Sequence, residues 1–215
     1  MNHYHNRIVV KVGTSTLTNE MGKTDLQAFD KLACVLSDVQ NKGYEVILVS
    51  SGAIAVGTNK LGMKKRPDTI RLKQAAASVG QCRIIFLYDK FFGDYDKTIS
   101  QILLNAEDIE KEDKKENLIN TFNSLLEMDV IPVVNENDSV SYSEIESEER
   151  LFGDNDMLSA VVAVLCQASK LIILSDIEGL YDKAKLQAAS LAVNQGIGTI
   201  ITNGRHPERI YEDKT

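Results

Sequence analysis

Short apolar runs alternate with amphipathic stretches along most of this chain. The runs have the length and the β-branched content of buried strands, and they cover 8–12, 45–50, 100–104, 130–134, 171–175 and 198–202. The stretches with helical spacing cover 26–42, about 69–92, 116–127, 156–166 and 184–194. Nearly continuous apolar strands separated by helices are typical of parallel sheets covered on both faces. The pattern therefore predicts a three-layer α/β/α sandwich with a central, mostly parallel sheet.

Chain length and net charge limit the number of domains and the kinds of partner that can be expected. With 215 residues the chain is long enough for one well-buried α/β domain, and we expect one domain spanning 1–215. The 31 acidic residues outnumber the 24 basic ones, and the net charge of −7 disfavours a general binder of nucleic acid or anionic membranes. No apolar run approaches the roughly 20 residues that span a bilayer, and the amino terminus lacks a signal-peptide core. We therefore expect a cytoplasmic protein.

The three cysteines, Cys34, Cys82 and Cys166, lie far apart, and each falls in an apolar helical pattern. We expect all three to be buried as small hydrophobic side chains. An odd number of cysteines without CxxC spacing argues against a disulfide framework and against a zinc site. The three histidines lie near the termini and receive no catalytic role.

Two clusters of small polar residues lie near the middle of the chain, at 135–138 (Asn-Glu-Asn-Asp) and at 153–156 (Gly-Asp-Asn-Asp). The first cluster follows the strand 130–134, and the second opens the helix 156–166. Helix capping needs only one such residue. In open α/β sheets, ligands bind outside the carboxyl ends of the strands. The two clusters therefore indicate a binding site at that edge.

Lys11 lies at the carboxyl end of the first strand, beside Gly13 and Thr14. A lysine in an apolar strand is costly to bury unless its ammonium group meets a partner. The side chain either extends along the sheet to a surface carboxylate, or it reaches an anion beside a turn whose N–H groups bind phosphate. The residues themselves leave both readings open.

Two further strand ends carry polar side chains. Ser51 and Gly52 follow the second strand, where the simplest explanation is an ordinary N-cap serine. Ser175 and Asp176 end the fifth strand. Neither a Walker P-loop nor a GxGxxG fingerprint occurs in the chain. All of these positions are expected to meet at one edge of the sheet.

The ordered set of motifs resembles the amino acid kinase family and, within it, the glutamate kinases. The matching stretches are 11–15, 51–57, 75–81, 135–138, 153–160 and 175–181. The resemblance runs from residue 7 to about 183 and resumes weakly at 185–189. The Lys-x-Gly-Thr-Ser sequence at 11–15 favours the glutamate kinases over their sister kinases, which more often carry a Gly-Gly pair.

The resemblance implies transfer of the γ-phosphoryl group of ATP, with Mg²⁺, to the side-chain carboxylate of glutamate, the first step of proline biosynthesis. By this resemblance the catalytic residues are Lys11, Asp156 and Lys185. The implied glutamate-binding residues are Ser51, Gly52, Asn135, Asp138 and Asn155. The implied ATP-binding residues are Lys11, Gly13, Thr14, Ser175, Asp176 and Lys185, and no residue is assigned to a metal.

The resemblance also implies a homo-oligomer, feedback inhibition by proline, and a glutamyl phosphate reductase as the partner that receives the product. The acidic segment 141–149 is expected to be exposed, either as a lid over the glutamate site or as a solvated excursion. Two other functions remain open. One is a sister kinase acting on carbamate, aspartate or a nucleotide, and the other is a non-catalytic amino-acid sensor.

The chain departs from the family pattern at one junction. The family carries a glycine-rich loop, Gly-Thr-Gly-Gly-Met-x-Thr-Lys, that holds the ATP phosphates, whereas here Lys183 joins Ala184 directly. Either the loop and its activity have been lost, or a mobile segment is missing between the two residues. We expect the second, with the Cα atoms of Lys183 and Ala184 much farther apart than the roughly 3.8 Å of a trans peptide. The chain also ends short of the family's final strand and of the RNA-binding-like domain that some members append.

Overall fold

The computed structural model describes residues 4–19, 23–140, 155–176 and 183–211. Six strands in this part of the chain form one sheet in the order β3-β4-β2-β1-β5-β6, and every pairing is parallel. The strands are β1 (Tyr4–Val12), β2 (Glu45–Val49), β3 (Ile99–Leu104), β4 (Ile131–Glu136), β5 (Ala168–Ser175) and β6 (Gly198–Asn203). The predicted parallel sheet is therefore confirmed.

Helices connect the strands. They are α1 (Thr14–Leu17), α2 (Leu26–Asn41), α3 (Ala53–Lys60), α4 (Ile70–Gly93), α5 (Ala106–Glu110), α6 (Glu112–Glu127), α7 (Asn155–Leu165) and α8 (Lys183–Asn194), followed by a 3-10 helix (Pro207–Tyr211). Helix α2 begins after Asp25 because the Asp25 carboxylate caps it: the carboxylate accepts hydrogen bonds from the N–H groups of Gln27 and Ala28. Gly43, with φ of 87°, follows its end.

Alternate strand residues face opposite layers of helices. Val10 packs on the side of α2 and α4, where the rings of Phe29 and Tyr88 lie 4.8 Å apart between centroids. Val9 packs on the other side, against α6 and α7, with Phe122 and Leu158 in the same cluster. The two clusters make the three-layer sandwich that the apolar pattern predicts.

Helices α3 and α4 touch backbone to backbone at two glycines. A Cβ atom on Gly57 would lie 1.7 Å from the carbonyl oxygen of Ala76, and one on Gly80 would lie 1.8 Å from that of Ala53. No side chain fits at either point without separating the helices. This contact fixes α3, and with it the Ser51–Gly52 turn that precedes the helix.

Replacing Gly80 with alanine is expected to lower the free energy of unfolding by about 1–3 kcal/mol, because the new methyl group forces the two helices apart. Gly93 on the same helix is the matched control, since a Cβ there would meet nothing within 4 Å. Gly93→Ala should be neutral or slightly stabilising. Urea unfolding of both variants checks this. Equal stabilities would show that α3 and α4 can separate without cost.

The junction at Lys183 differs from the expectation. Helix α8 runs without interruption from Lys183 to Asn194, so Lys183 and Ala184 are neighbours in its first turn. The expected chain break is therefore wrong, and the physical reason is simple: Lys-Ala-Lys-Leu-Gln is a contiguous run of strong helix formers. The acidic segment 141–149 and the residues Gly153 and Asp154 lie outside the described residues. No helix in the described ranges is long and apolar enough to cross a membrane.

The cysteines also differ from the expectation. Cys34 and Cys82 are exposed, and only Cys166 is buried. The apolar pattern located the helices α2 and α4 correctly, but both cysteines lie on the solvent side of these helices.

The three thiols should therefore react unequally. Burial raises the pKa of the Cys166 thiol to about 12, so at about pH 8 it stays protonated as well as covered. An aromatic disulfide reagent is expected to modify Cys34 and Cys82 in the native protein and Cys166 only after unfolding. Mass spectrometry of the modified peptides gives the assignment. Rapid native labelling of Cys166 would mean that the end of α7 opens readily.

Candidate active site

A cleft of about 440 Å³ lies at the carboxyl edge of the sheet, where β1, β2 and β4 end and α3 and α7 begin. Its lining residues are Lys11, Gly13, Thr14, Ser51, Gly52, Ala53, Ile54, Ala55, Arg66, Glu136, Asp138, Asn155, Asp156 and Lys185. A larger hollow of about 570 Å³ opens between the start of α2 and residues 204–207, but none of the sequence-predicted site residues lines it. The chemistry is therefore concentrated in the smaller cleft.

Asp156 lies between two lysines in this cleft. Its Oδ1 is 2.5 Å from Lys11 Nζ, and its Oδ2 is 2.9 Å from Lys185 Nζ. Asp156 is 2% exposed, Lys11 is 6% exposed and Lys185 is 9% exposed. Burial of charged groups is tolerated when they pair. In this triad two ammonium groups share one carboxylate, an arrangement that suits the site to an anion.

Different elements bring this triad together. Lys11 comes from the end of β1, Asp156 from the first turn of α7 and Lys185 from the first turn of α8. A carboxylate at a helix amino terminus is favoured by the helix dipole, whereas an ammonium group there is not. The ion pair with Asp156 offsets the unfavourable interaction of the Lys185 ammonium group with the dipole of α8. Lys11 thus has a carboxylate partner, but a buried one in the cleft rather than one on the surface.

A buried chain of amide groups lies behind the cleft. Asn155 Nδ2 donates to the Ser50 carbonyl oxygen (3.0 Å), to Ser51 Oγ (2.9 Å) and to Asn135 Oδ1 (3.1 Å). Asn135 Nδ2 in turn donates to Gln81 Oε1 at 2.9 Å. The chain ties α7, β4 and α4 to the end of β2. Such networks rigidify a site when every member is satisfied.

A second hydrogen bond joins the same strand end to α4. Ser50 Oγ and the Tyr88 hydroxyl lie 3.0 Å apart, with both residues buried. Burial raises the pKa of Tyr88, and the hydrogen bond to Ser50 partly opposes this. Tyr88 therefore stays neutral and acts as a fixed hydrogen-bonding group under the site.

The turn after β2 requires a glycine. Gly52 has φ of 95°, in the left-handed region. A Cβ atom there would lie 3.2 Å from Thr14 Cγ2, so the turn also closes tightly against the loop after β1. The strand ends of β1 and β2 are thereby held side by side in the cleft wall.

Most of the sequence-predicted site residues line the cleft. They are Lys11, Gly13, Thr14, Ser51, Gly52, Asp138, Asn155, Asp156 and Lys185. Three others do not: Asn135 is buried behind Asn155, Ser175 is buried at the end of β5, and Asp176 is exposed.

Several residues of this site were not predicted from the sequence. Arg66 and Glu136 line the cleft, and Ser50, Gln81 and Tyr88 form the network behind it. Glu136 lay inside a polar cluster, and Gln81 lay inside the matching stretch 75–81, so both could have been examined. Arg66 belongs to a polar segment before α4, and nothing in its pattern pointed to the cleft.

Two lysines bridged by an aspartate lie at the carboxyl edge of this parallel α/β/α sandwich. Sites of phosphoryl transfer have this form, because cations surround the transferring anion. The comparisons agree with this class. A model of the amino acid kinase family matches residues 6–203, so the chain belongs to that family.

Individual relatives show which kinases of this family the chain resembles. The chain is 46% identical to a glutamate 5-kinase of Clostridium perfringens over 244 aligned positions, which cover 96% of this chain and 90% of the relative. It is 51% identical to a glutamate 5-kinase of Lactococcus lactis over 177 positions, which cover 82% of this chain and 65% of the relative. Among solved structures, an isopentenyl phosphate kinase of T. acidophilum matches with a TM-score of 0.67 and 15% identity, covering 97% and 96% of the two chains. That identity shows the fold alone.

The first alignment is longer than this chain. Its 244 positions exceed the 215 residues of this chain, so the Clostridium perfringens relative carries residues that have no counterpart here.

Proposed function

We propose that this protein transfers the γ-phosphoryl group of ATP to the side-chain carboxylate of glutamate, giving glutamyl 5-phosphate for proline biosynthesis. The observation that carries the proposal is the triad of Lys11, Asp156 and Lys185 in a cleft that also holds acidic groups. The similarity to glutamate 5-kinases at 46% identity supports the choice of acceptor.

The chemistry needs cations rather than a base. A glutamate side chain, with a pKa of about 4.3, is already ionised at neutral pH, so no proton must be removed before attack. The difficulty is to bring two anions together and to stabilise charge on the transferring phosphoryl group. Lys11 and Lys185 supply two ammonium groups for this purpose. Asp156 holds both in place and is not required to accept a proton.

The cleft presents opposite charges to the two ends of such a substrate. Glu136 and Asp138 provide carboxylates, which suit the α-ammonium group of an amino acid. Lys11, Lys185 and Arg66 provide cations, which suit its carboxylates and the phosphates of ATP. An amino acid with a second carboxylate matches both halves of this cleft.

The individual roles form part of the proposal. Ser51, Gly52, Asp138 and Asn155 bind glutamate, and Asn135 acts from behind through Asn155. Gly13 and Thr14 offer backbone N–H groups to the phosphates beside Lys11 and Lys185. Ser175 and Asp176, at the end of β5, bind the nucleotide next to the cleft.

Mg²⁺ is proposed to accompany ATP and to neutralise part of its phosphate charge. Proteins commonly hold this ion through one or two carboxylates together with substrate phosphates. Asp138 is assigned to the substrate, so Glu136 is the cleft carboxylate that would hold the ion together with the phosphates. No group of three or more potential ligands of the His, Cys, Asp and Glu type occurs among the described residues.

The similarity supports further parts of the proposal. We propose a homo-oligomer in the cytoplasm, inhibition of the kinase by proline, and a glutamyl phosphate reductase that consumes the labile acyl phosphate.

One observation favours a second candidate, a non-catalytic amino-acid sensor. The glycine-rich loop that holds ATP phosphates in the family is missing from this chain. Against this, Lys185 still reaches Asp156 although no glycines precede it. The second cation of the site is therefore in place without the loop.

An ADP-release assay with glutamate, aspartate, carbamate and UMP as acceptors, paired with calorimetric binding, tests the proposal. ADP release with glutamate is the expected result. Preference for another acceptor would indicate a sister kinase. Glutamate binding without ADP release would indicate the sensor.

A further inference from the structure

The orientation of the Asn155 amide follows from one main-chain group. A carbonyl oxygen can only accept hydrogen bonds, so the Asn155 atom 3.0 Å from the Ser50 carbonyl oxygen must be the amide nitrogen. The Asn135 atom 3.1 Å from that nitrogen must then be an oxygen. Asn135 consequently turns its own nitrogen to Gln81, which accepts through Oε1 at 2.9 Å. Each amide in the chain fixes the next.

This orientation decides what Asn155 offers to a ligand. Its two amide hydrogens are shared among three acceptors within the protein, Ser50, Ser51 and Asn135. The remaining polar atom of the side chain is the carbonyl oxygen, and Asn155 lines the cleft together with Glu136 and Asp138. The carbonyl oxygen is thus the atom of this cleft-lining side chain that is left to accept a hydrogen bond from a ligand.

We propose that Gln81, through Asn135, is a positioning residue that holds the Asn155 carbonyl oxygen toward the α-ammonium group of the substrate. The site thereby selects an amino acid over the corresponding dicarboxylate without the amino group. This inference rests on the proposed function, because it requires the amino acid to bind in the same cleft.

The amide groups of this chain are buried, so the loss of one of their hydrogen bonds is costly. Asn135 is 1% exposed and Gln81 is 8% exposed, so water cannot readily replace a lost partner. Without the Gln81 oxygen, the buried Asn135 nitrogen loses its hydrogen-bond acceptor, and a buried donor without an acceptor is strongly unfavourable. If Asn135 rotates to avoid this, its nitrogen faces the Asn155 nitrogen, and two donors oppose each other. Either outcome loosens the orientation of Asn155.

Three single substitutions on α4 separate positioning from packing. Gln81→Met keeps the shape but removes the acceptor for Asn135. Gln81→Glu keeps an acceptor oxygen at the same place and is the rescue variant. Ser78→Ala removes a hydroxyl group that donates to the Ala75 carbonyl oxygen at 2.9 Å on the exposed side of the same helix and leaves the amide chain intact, so it is the control for the loss of a side-chain hydrogen bond in α4.

Calorimetric dissociation constants for glutamate and for glutarate, which lacks the amino group, give the readout without requiring turnover. The wild-type protein is expected to prefer glutamate, and Gln81→Met should reduce that preference roughly tenfold. Gln81→Glu and Ser78→Ala should keep the wild-type ratio.

The possible results have separate meanings. If Gln81→Met weakens glutamate and glutarate equally, or if the wild-type protein binds both equally, the positioning role is wrong while the kinase proposal stands. If the wild-type protein binds no glutamate, the proposed function fails and this inference fails with it. A reduced preference in Gln81→Met that Gln81→Glu does not show supports the inference.

Discussion

Lys11→Ala is expected to lower kcat by about 10²–10³-fold, the cost seen when one preorganised group that stabilises transition-state charge is removed. Lys11 Nζ lies 2.5 Å from Asp156 Oδ1 at the carboxyl edge of β1, where a transferring phosphoryl group would gather charge. Because that charge is largest in the transition state, the KM for glutamate should change much less than kcat. Steady-state kinetics of ADP release measures both parameters.

The fold should survive this substitution. Asp156 keeps its ion pair with Lys185 at 2.9 Å, so no buried carboxylate is left alone. Lys31→Ala is the matched control: Lys31 pairs with Glu208 on the surface at 2.8 Å, away from the cleft. This control should leave kcat unchanged. If Lys11→Ala also kept near-normal kcat, Lys11 would have only a structural role.

The strands could be predicted from the sequence because both faces of a parallel sheet are covered. Runs such as 45–50 and 171–175 are apolar at nearly every position, and turns bound them clearly. The location of the site followed from the same reasoning, since the carboxyl ends of parallel strands share one edge. The short helices α1 and α5 were missed because four or five residues are too few to show helical periodicity.

The contacts inside the site could not be derived in the same way. Lys185 and Asp156 are 29 residues apart, and only the packing of α8 against α7 brings them together. Gln81 lies in the middle of α4, where a polar residue on a helix ordinarily suggests a solvated face. Its contact with Asn135 depends on how closely α4 approaches the sheet, and the helix crossing at Gly57 and Gly80 sets part of that approach. Periodicity describes one element at a time and carries no information on such distances.

Asp156→Ala is expected to have the largest effect on stability. The substitution leaves the Lys11 and Lys185 ammonium groups buried near each other without a carboxylate between them. Removing one partner of a buried ion pair costs about 3–5 kcal/mol. Urea unfolding should show a loss of that size together with a loss of ADP release, because the two cations are no longer held in place.

Two further measurements establish whether charge is the cause. Sulfate or phosphate should stabilise Asp156→Ala more than it stabilises the wild-type protein, since an anion can take the place of the carboxylate between the lysines. The double variant Asp156→Leu with Lys185→Met should recover part of the lost stability, because apolar replacement of a buried ion pair is often tolerated. A loss below about 1 kcal/mol in Asp156→Ala, with no response to sulfate, would mean that the two lysines reach water. The triad would then be a hydrated surface cluster, and the proposal that it orients a transferring phosphoryl group would be wrong.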